Sequence, residues 1–259
     1  AAPARAFVPG DTLAFVIHGN DRTIAAIEKP AGPVHLNLAT TGVFPNDLAI
    51  RGTRACVTAS GGDAIHVYDL TACASVDTIS TGAGTNPYAF AFVSDTRAYV
   101  TLLLTDEVAE IDLASGAVVA TIPVGKAPEG IIYASGRLFV ANSGFDFNTF
   151  GYDPGTVSVI DPGTNSVTHT LPVGLNPQAL AVSPGGEVHV CCTGDYFSVF
   201  GRAFMINPVT TTVVDSLDVG GSPGFLSIDM DGDAYLSDYF LGLLKYDAPT
   251  RTILRGAGD

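Results

Sequence analysis

The chain has 259 residues, of which 47% are apolar and only 15% charged, enough apolar material for a sizeable core. Its net charge of −14 argues against nucleic acid and against anionic membrane surfaces as partners. Helix-period runs are absent and no apolar run approaches the length of a membrane span, so an all-β chain without membrane insertion is expected.

Taken in chain order, short alternating apolar runs separated by Gly, Pro and Asn recur from a first strand at Ala6 to Val8 to a last one at Thr252 to Leu254. The stretch from Val157 to Val190 shows the unit most clearly. Its strands are Val157 to Ile160, Val167 to Val173, Ala179 to Val182 and a fourth from Val188 to Cys191. Two markers keep time along the chain. An acid or its stand-in closes one strand of each unit at Glu28, Asp69, Asp112, Asp161, Asn207 and Asp247, at intervals of 41, 43, 49, 46 and 40 residues. A proline opens another at Pro3, Pro45, Pro87, Pro128, Pro177 and Pro223, at intervals of 42, 42, 41, 49 and 46. Four strands repeating about every 40–45 residues are the signature of a β-propeller, in which each sheet buries its faces against its neighbours. The reading is a single six-bladed β-propeller domain with four antiparallel strands per blade. The blades span residues 3–42, 43–85, 86–126, 127–175, 176–221 and 222–259. The chain starts on an inner strand and ends on an outer one, which predicts closure without a swapped strand; the alternative is a seventh blade that has been lost or lies outside this sequence. The glycines ahead of the prolines (Gly125, Gly174 and Gly221) are expected to permit the sharp turn from one blade to the next.

The repeats carry a degenerate tetrapeptide in phase with both markers: Cys56-Val57-Thr58-Ala59, Tyr99-Val100-Thr101-Leu102 and Phe139-Val140-Ala141-Asn142. In this the chain resembles the YVTN-type β-propeller repeats of bacterial and archaeal surface and periplasmic proteins, over nearly its whole length. The resemblance implies the fold and an extracellular or periplasmic setting, but hardly constrains the activity. The start Ala1-Ala2-Pro3-Ala4 also looks like the pattern left after signal-peptide cleavage.

Blades four and five are longer than the rest, and the excess falls between their second and third strands. These loops run from Ser143 to Gly155 and from Thr193 to Arg202, and blade six has a short equivalent at Asp238 to Gly242. The loops are rich in rings: Phe145, Phe147, Phe150, Tyr152, Tyr196, Phe197, Phe200, Tyr239 and Phe240. The fold does not need such insertions, and insertions of this kind map to binding faces. The rings are expected to gather on one face, either as a mini-core bracing the loops or as a contact surface for a protein partner or for another copy of the chain.

Catalytic signals are sparse. There is no phosphate loop, dinucleotide fingerprint or nucleophile elbow, and no histidine pair has metal-ligand spacing. Glu129, Asn142, Asp238 and His18 fall at blade positions near a funnel mouth, and oxygen ligands of this kind suit Ca²⁺. Six-bladed lactonases of the gluconolactonase type are similar in residue type there, which implies, as the alternative, a metal-dependent hydrolase of lactone-like substrates. The leading expectation remains a non-catalytic binding or assembly module without a cofactor. Asp229-Met230-Asp231-Gly232-Asp233 opens like a Ca²⁺ loop, but Phe240 stands where the bidentate Glu belongs, so a hairpin turn is expected. Cys56 and Cys73 share a blade and are compatible with either a disulfide or two thiols. Cys191 and Cys192 are adjacent in a strand and should point to opposite faces as free thiols.

Overall fold

A computed structural model describes residues 13–29, 32–238 and 240–258. The fold is all-β, a six-bladed β-propeller, and every described sheet is an antiparallel meander with its strands in chain order. The described part of the first blade contains β1 (Leu13–His18), β2 (Thr23–Glu28) and β3 (Val34–Thr40). The inner strand expected at Ala6 to Val8 lies outside the described residues. Blade two is β4 (Pro45–Arg51), β5 (Arg54–Ala59), β6 (Ala64–Asp69) and β7 (Ala74–Ser80). Blade three is β8 (Pro87–Phe92), β9 (Arg97–Leu102), β10 (Glu107–Asp112) and β11 (Ala117–Pro123). Blade four is β12 (Pro128–Ala134), β13 (Arg137–Asn142), β14 (Thr156–Asp161) and β15 (Ser166–Pro172). Blade five is β16 (Pro177–Val182), β17 (Val188–Cys192), β18 (Arg202–Asn207) and β19 (Thr212–Asp218). Blade six is β20 (Pro223–Ile228), β21 (Asp233–Asp238), β22 (Gly242–Asp247) and β23 (Thr252–Arg255). Among the described residues no helix is long and apolar enough to cross a membrane. The chain forms two compact units, the first holding blades one, two and most of three, the second holding blades four to six.

Both sequence markers fall on strand boundaries. Each described proline marker is the first residue of an inner strand, where a missing N–H costs no ladder bond. Each acid marker is the last residue of the strand next to the outermost one. Its side chain caps the following hairpin: Asp69 accepts from the Thr71 N–H at 2.8 Å, Asp161 from Gly163 at 2.7 Å, Asn207 from Val209 at 2.9 Å and Asp247 from Thr250 at 2.7 Å. In the first blade the Glu28 carboxylate meets the His35 Nε2 at 2.9 Å.

The strands are not uniformly half-buried, as alternation would have them. From their second residue on, β5, β9 and β13 are buried without a break, and β17 is buried throughout, while the outer strands β3, β7, β15 and β19 stay largely exposed. The reason is packing. Within the first unit, Ala55 and Val57 face a cluster with Ile24, whereas Cys56 faces one with Phe90, Ala98 and Val100. Within the second, Cys192 packs with Phe139 and Val159, and Cys191 with Leu236 and Tyr246. A strand covered on both faces has no polar side to show.

Cys191 and Cys192 therefore do point to opposite faces, as free thiols. Cys56 and Cys73 are not joined to each other by a disulfide. Cys56 faces the blade-three side of its sheet, whereas Cys73, in the β6–β7 turn, sits with Phe15, Ile24 and Tyr68 on the other side. A disulfide cannot cross the sheet between them. Burial pushes the Cys56 and Cys192 thiols up to about 12, so neither is a reactive thiolate.

Inner strands β4, β8, β12, β16 and β20 each break register just after the opening proline, the irregularity of a bulge. Hydroxyl groups at the end of the preceding blade's second strand satisfy carbonyls there. Thr58 donates to the Tyr88 carbonyl at 2.7 Å and Ser60 to that of Pro87 at 2.9 Å. Thr193 donates to Pro223 at 2.8 Å.

Of the glycines ahead of the prolines, Gly221 is left-handed at φ 60°, as a sharp turn requires, whereas the other two have a different role. In the turns before β4, β8, β12 and β16 the residue directly preceding proline is itself left-handed: Phe44, Asn86, Ala127 and Asn176, with φ between 49° and 56°. Gly125 and Gly174 are not left-handed; they permit close approach. A Cβ on Gly125 would stand 2.6 Å from the Asn142 amide, and one on Gly174 2.8 Å from the Phe204 ring.

Candidate functional site

The ring-rich loops of blades four, five and six lie in the second unit. The blade-four loop joins β13 to β14 and folds on itself, with Phe145 bridging to Tyr152 as an isolated β pair. The Phe145 ring is the hub. Phe147 meets it edge-on at 4.9 Å, Phe150 at 6.3 Å and Tyr152 at 5.2 Å. Lys126 braces the loop from below, its Nζ donating to Asp146 at 2.6 Å and Asp153 at 3.0 Å. Lys126 and the Asn148 and Thr149 N–H groups hold the Asp146 carboxyl down at about 2.

The blade-five loop is organised by Asp195. Its carboxylate accepts from the N–H groups of Phe197 (2.9 Å), Ser198 (2.7 Å) and Val199 (2.8 Å) and from the Ser198 hydroxyl (2.6 Å). These donors hold the carboxyl far below its ordinary range. The carboxylate thus fixes the backbone that carries Tyr196 and Phe197. The Tyr152 phenol lies close enough to Tyr196 to feel its hydroxyl, so the two loops interact electrostatically. Burial, the Tyr196 hydroxyl and the nearby Glu129 push the Tyr152 phenol up to about 12. Gln178 Nε2 reaches the Tyr196 hydroxyl at 3.5 Å.

Of the nine predicted rings, Phe145 and Tyr152 are half-buried and form the mini-core. Phe150 (78% exposed), Phe197 (88%), Phe200 (60%) and Phe240 (73%) are presented to solvent, and Phe147 and Tyr196 are partly so. Tyr239 lies outside the described residues. The rings thus divide into a half-buried pair that braces the loop and a set presented to solvent. Leu241 and Val199, which carry no ring, are also exposed on these loops.

Tyr196 and Phe240 line a cleft of about 340 Å³ together with Ser222, Gly224, Ser237 and Asp238. Asp238 is 6% exposed. Its carboxylate accepts from the Ser222 N–H, and from Phe240 and Leu241 at 2.8 Å each. Ser222 and Ser237 give no sign of this role in the sequence, being ordinary polar residues beside strand ends.

The residues considered for a cation have local tasks. Asn142, 1% exposed, donates from Nδ2 to Thr156 at 3.0 Å and to Ser158 at 2.9 Å. Glu129 follows the proline of β12 and is buried beside Tyr152. Asp238 lies in the cleft just described. His18 closes β1, in the first unit, opposite Thr23. Among the described residues no three His, Cys, Asp or Glu side chains are grouped to hold a metal ion. The Asp229 loop is the hairpin between β20 and β21, its carboxylate accepting from Asp231 at 3.0 Å and Asp233 at 2.9 Å.

No protein-family model matches the chain, and no curated protein matches it in sequence. Solved structures do match, 1316 chains among them. A chain of Kuenenia stuttgartiensis hydrazine synthase is similar with a TM-score of 0.64 and 18% identity, over 74% of this chain and 55% of that one. The present chain thus spans about half the length of that relative. A chain from a crystal structure of a mitotic checkpoint complex is similar with a TM-score of 0.75 and 13% identity, over 95% of this chain and 74% of that one. At these identities the likeness shows the fold alone, and the fold it shows is the propeller.

Proposed function

We propose that the protein is a non-catalytic binding module that docks a protein partner on the aromatic loops of blades four to six. The observation that carries this reading is the exposure of Phe150, Phe197, Phe200 and Phe240 on loops the fold does not need. Solvent-facing phenylalanines are costly to keep unless something covers them, and large rings are the anchors of protein interfaces. The loops are also braced in advance by Asp195 and by the Lys126 ion pairs, which lowers the ordering cost on docking. A protein-interaction role suits the fold, since one similar chain comes from a multiprotein complex. The reading includes export and membership of the YVTN-type repeats, resting on the resemblance of the tetrapeptides and their spacing.

The test replaces Phe147, Phe197 and Phe200 together by Ser in the source organism. The variant keeps its thermal unfolding profile, because none of the three is buried, and loses the protein that crosslinks to the wild type. Unchanged crosslinking refutes the reading. Fractionation of the tagged native protein with a cytoplasmic marker refutes the export component alone.

A further inference from the structure

We propose that the cleft between the blade-five and blade-six loops receives a cationic side chain, a Lys or Arg presented by the protein partner. This deepens the docking reading above and rests on it.

The lining has the composition of a cation receptor. Tyr196 and Phe240 supply aromatic surface, Asp238 the charge, and the Ser222 and Ser237 hydroxyls and Gly224 the remainder. Ring faces attract ammonium and guanidinium groups, and more strongly once these are desolvated. The volume of about 340 Å³ is at the small end of ligand sites, suited to one long side chain rather than a large cofactor.

Asp238 decides the sign. It is a carboxylate, 6% exposed, and backbone N–H groups of Ser222, Phe240 and Leu241 occupy three of its acceptor positions. A carboxylate offers about four such positions, so among the described residues one is not taken and can serve a ligand. Among the described residues no Lys, Arg or His forms an ion pair with it. Three cations of this unit are engaged elsewhere: Lys245 with Asp233 at 2.6 Å, Arg251 with Glu187 at 3.2 Å and Asp215 at 3.1 Å, and Arg202 with Asp218 at 2.9 Å. A buried carboxylate without a counter-ion, in a chain of net charge −14, favours a cation from outside.

The cleft is also held open. Gln178 reaches the Tyr196 hydroxyl with its amide nitrogen, and its Oε1 would stand 3.1 Å from a Cβ on Gly224. Any side chain at position 224 crowds Gln178, and through it the ring that forms one wall.

The experiment is a nuclear magnetic resonance titration of the pure protein with Nα-acetyl-lysine methylamide, its arginine counterpart, its neutral norleucine counterpart and tetramethylammonium chloride. Saturable shifts at the Ser222, Gly224 and Ser237 amides are expected with the lysine or arginine probe. They should weaken with added salt and be at least roughly tenfold weaker with norleucine. Asp238→Asn is expected to weaken binding by a similar factor. Tyr196→Leu, on an exposed loop, does the same and keeps the test decisive if the Asp238 variant misfolds. Equal binding of norleucine, or no saturable shift with either cationic probe, overturns the assignment. Tighter binding of tetramethylammonium than of both amino-acid probes overturns the side-chain source in favour of a free quaternary ammonium. Loss of these shifts with crosslinking intact refutes the cleft alone. Shifts that persist when the Phe147, Phe197 and Phe200 variant still crosslinks refute only the aromatic docking surface.

Discussion

Replacing His189 by Phe should blunt the protein's loss of stability in mild acid. His189 is fully buried in β17, in the slot that Tyr99 occupies in β9 and Phe139 in β13. Its Nδ1 shares a 2.8 Å hydrogen bond with the Tyr246 hydroxyl, and the two rings stack at 5.9 Å. Its Nε2 has no hydrogen-bond partner; the nearest carboxylate, that of Glu187, is 3.8 Å away and is shared with Arg251. A second proton would leave a charged N–H unsatisfied in the core. Burial, with Arg251 adding to it, accordingly holds the imidazole down at about 4, against 6.5 in an unfolded chain. Below pH 6.5 the unfolded state takes the proton first, so the full contribution is present above 6.5 and is lost on descending toward 4. A difference of this size is worth about 3 kcal/mol at pH 4. That corresponds to roughly 6–12 °C in the unfolding midpoint of a chain of this size class. The assay compares thermal unfolding of wild type and His189→Phe from pH 7.5 to 4. The variant starts lower at neutral pH, since Tyr246 loses its partner at a cost of about 1–3 kcal/mol, but its midpoint should fall less steeply. Parallel curves refute the argument, because the imidazole would then not be the group that resists the proton.

Two further substitutions probe the loops. Gly155→Ala places a Cβ 2.1 Å from the Gly174 carbonyl oxygen and 2.4 Å from the Pro177 ring. Backbone cannot yield as a side chain can, so the variant should lose at least about 1–3 kcal/mol in chemical denaturation; wild-type stability would contradict the packing described. Asp195→Ala removes the acceptor of three loop N–H groups. Hydrogen exchange at Phe197 to Val199 should quicken and partner crosslinking weaken while the unfolding midpoint changes little. Protection that persists would show that the loop is held by something else.

The strand boundaries were legible because they are set locally. A proline opens an inner strand and an Asp or Asn caps a hairpin through atoms two or three residues away, so both leave a periodic trace. What failed was whatever depends on a neighbouring sheet. Alternation predicted half-buried strands, but β5 and β13 are covered on both faces. Gly125 and Gly174 read as turn residues, whereas what excludes a side chain there is Asn142 in one case and Phe204 in the other. Cys56 and Cys73 are close in the chain and separated by the thickness of a sheet.

The same division explains how much of the site was visible. Loop length and ring content lie along the chain, so the aromatic cluster was apparent from sequence. Which rings would be presented was not, because that is decided by Phe145, around which Phe147, Phe150 and Tyr152 pack, and by Asp195, which turns Phe197 outward. The cleft was hidden altogether, since it joins a tyrosine at 196, a turn at 222–224 and a strand end at 237–238, none of which is unusual alone. Blade phase groups Asp238 with Glu129, Asn142 and His18 as shared cation ligands. Asn142 spends its amide nitrogen on Thr156 and Ser158, while Asp238 fixes its own loop and still faces an aromatic cleft. Equivalent positions in a repeat therefore share a backbone environment without sharing a task, and the task follows from which loop lies over each strand end.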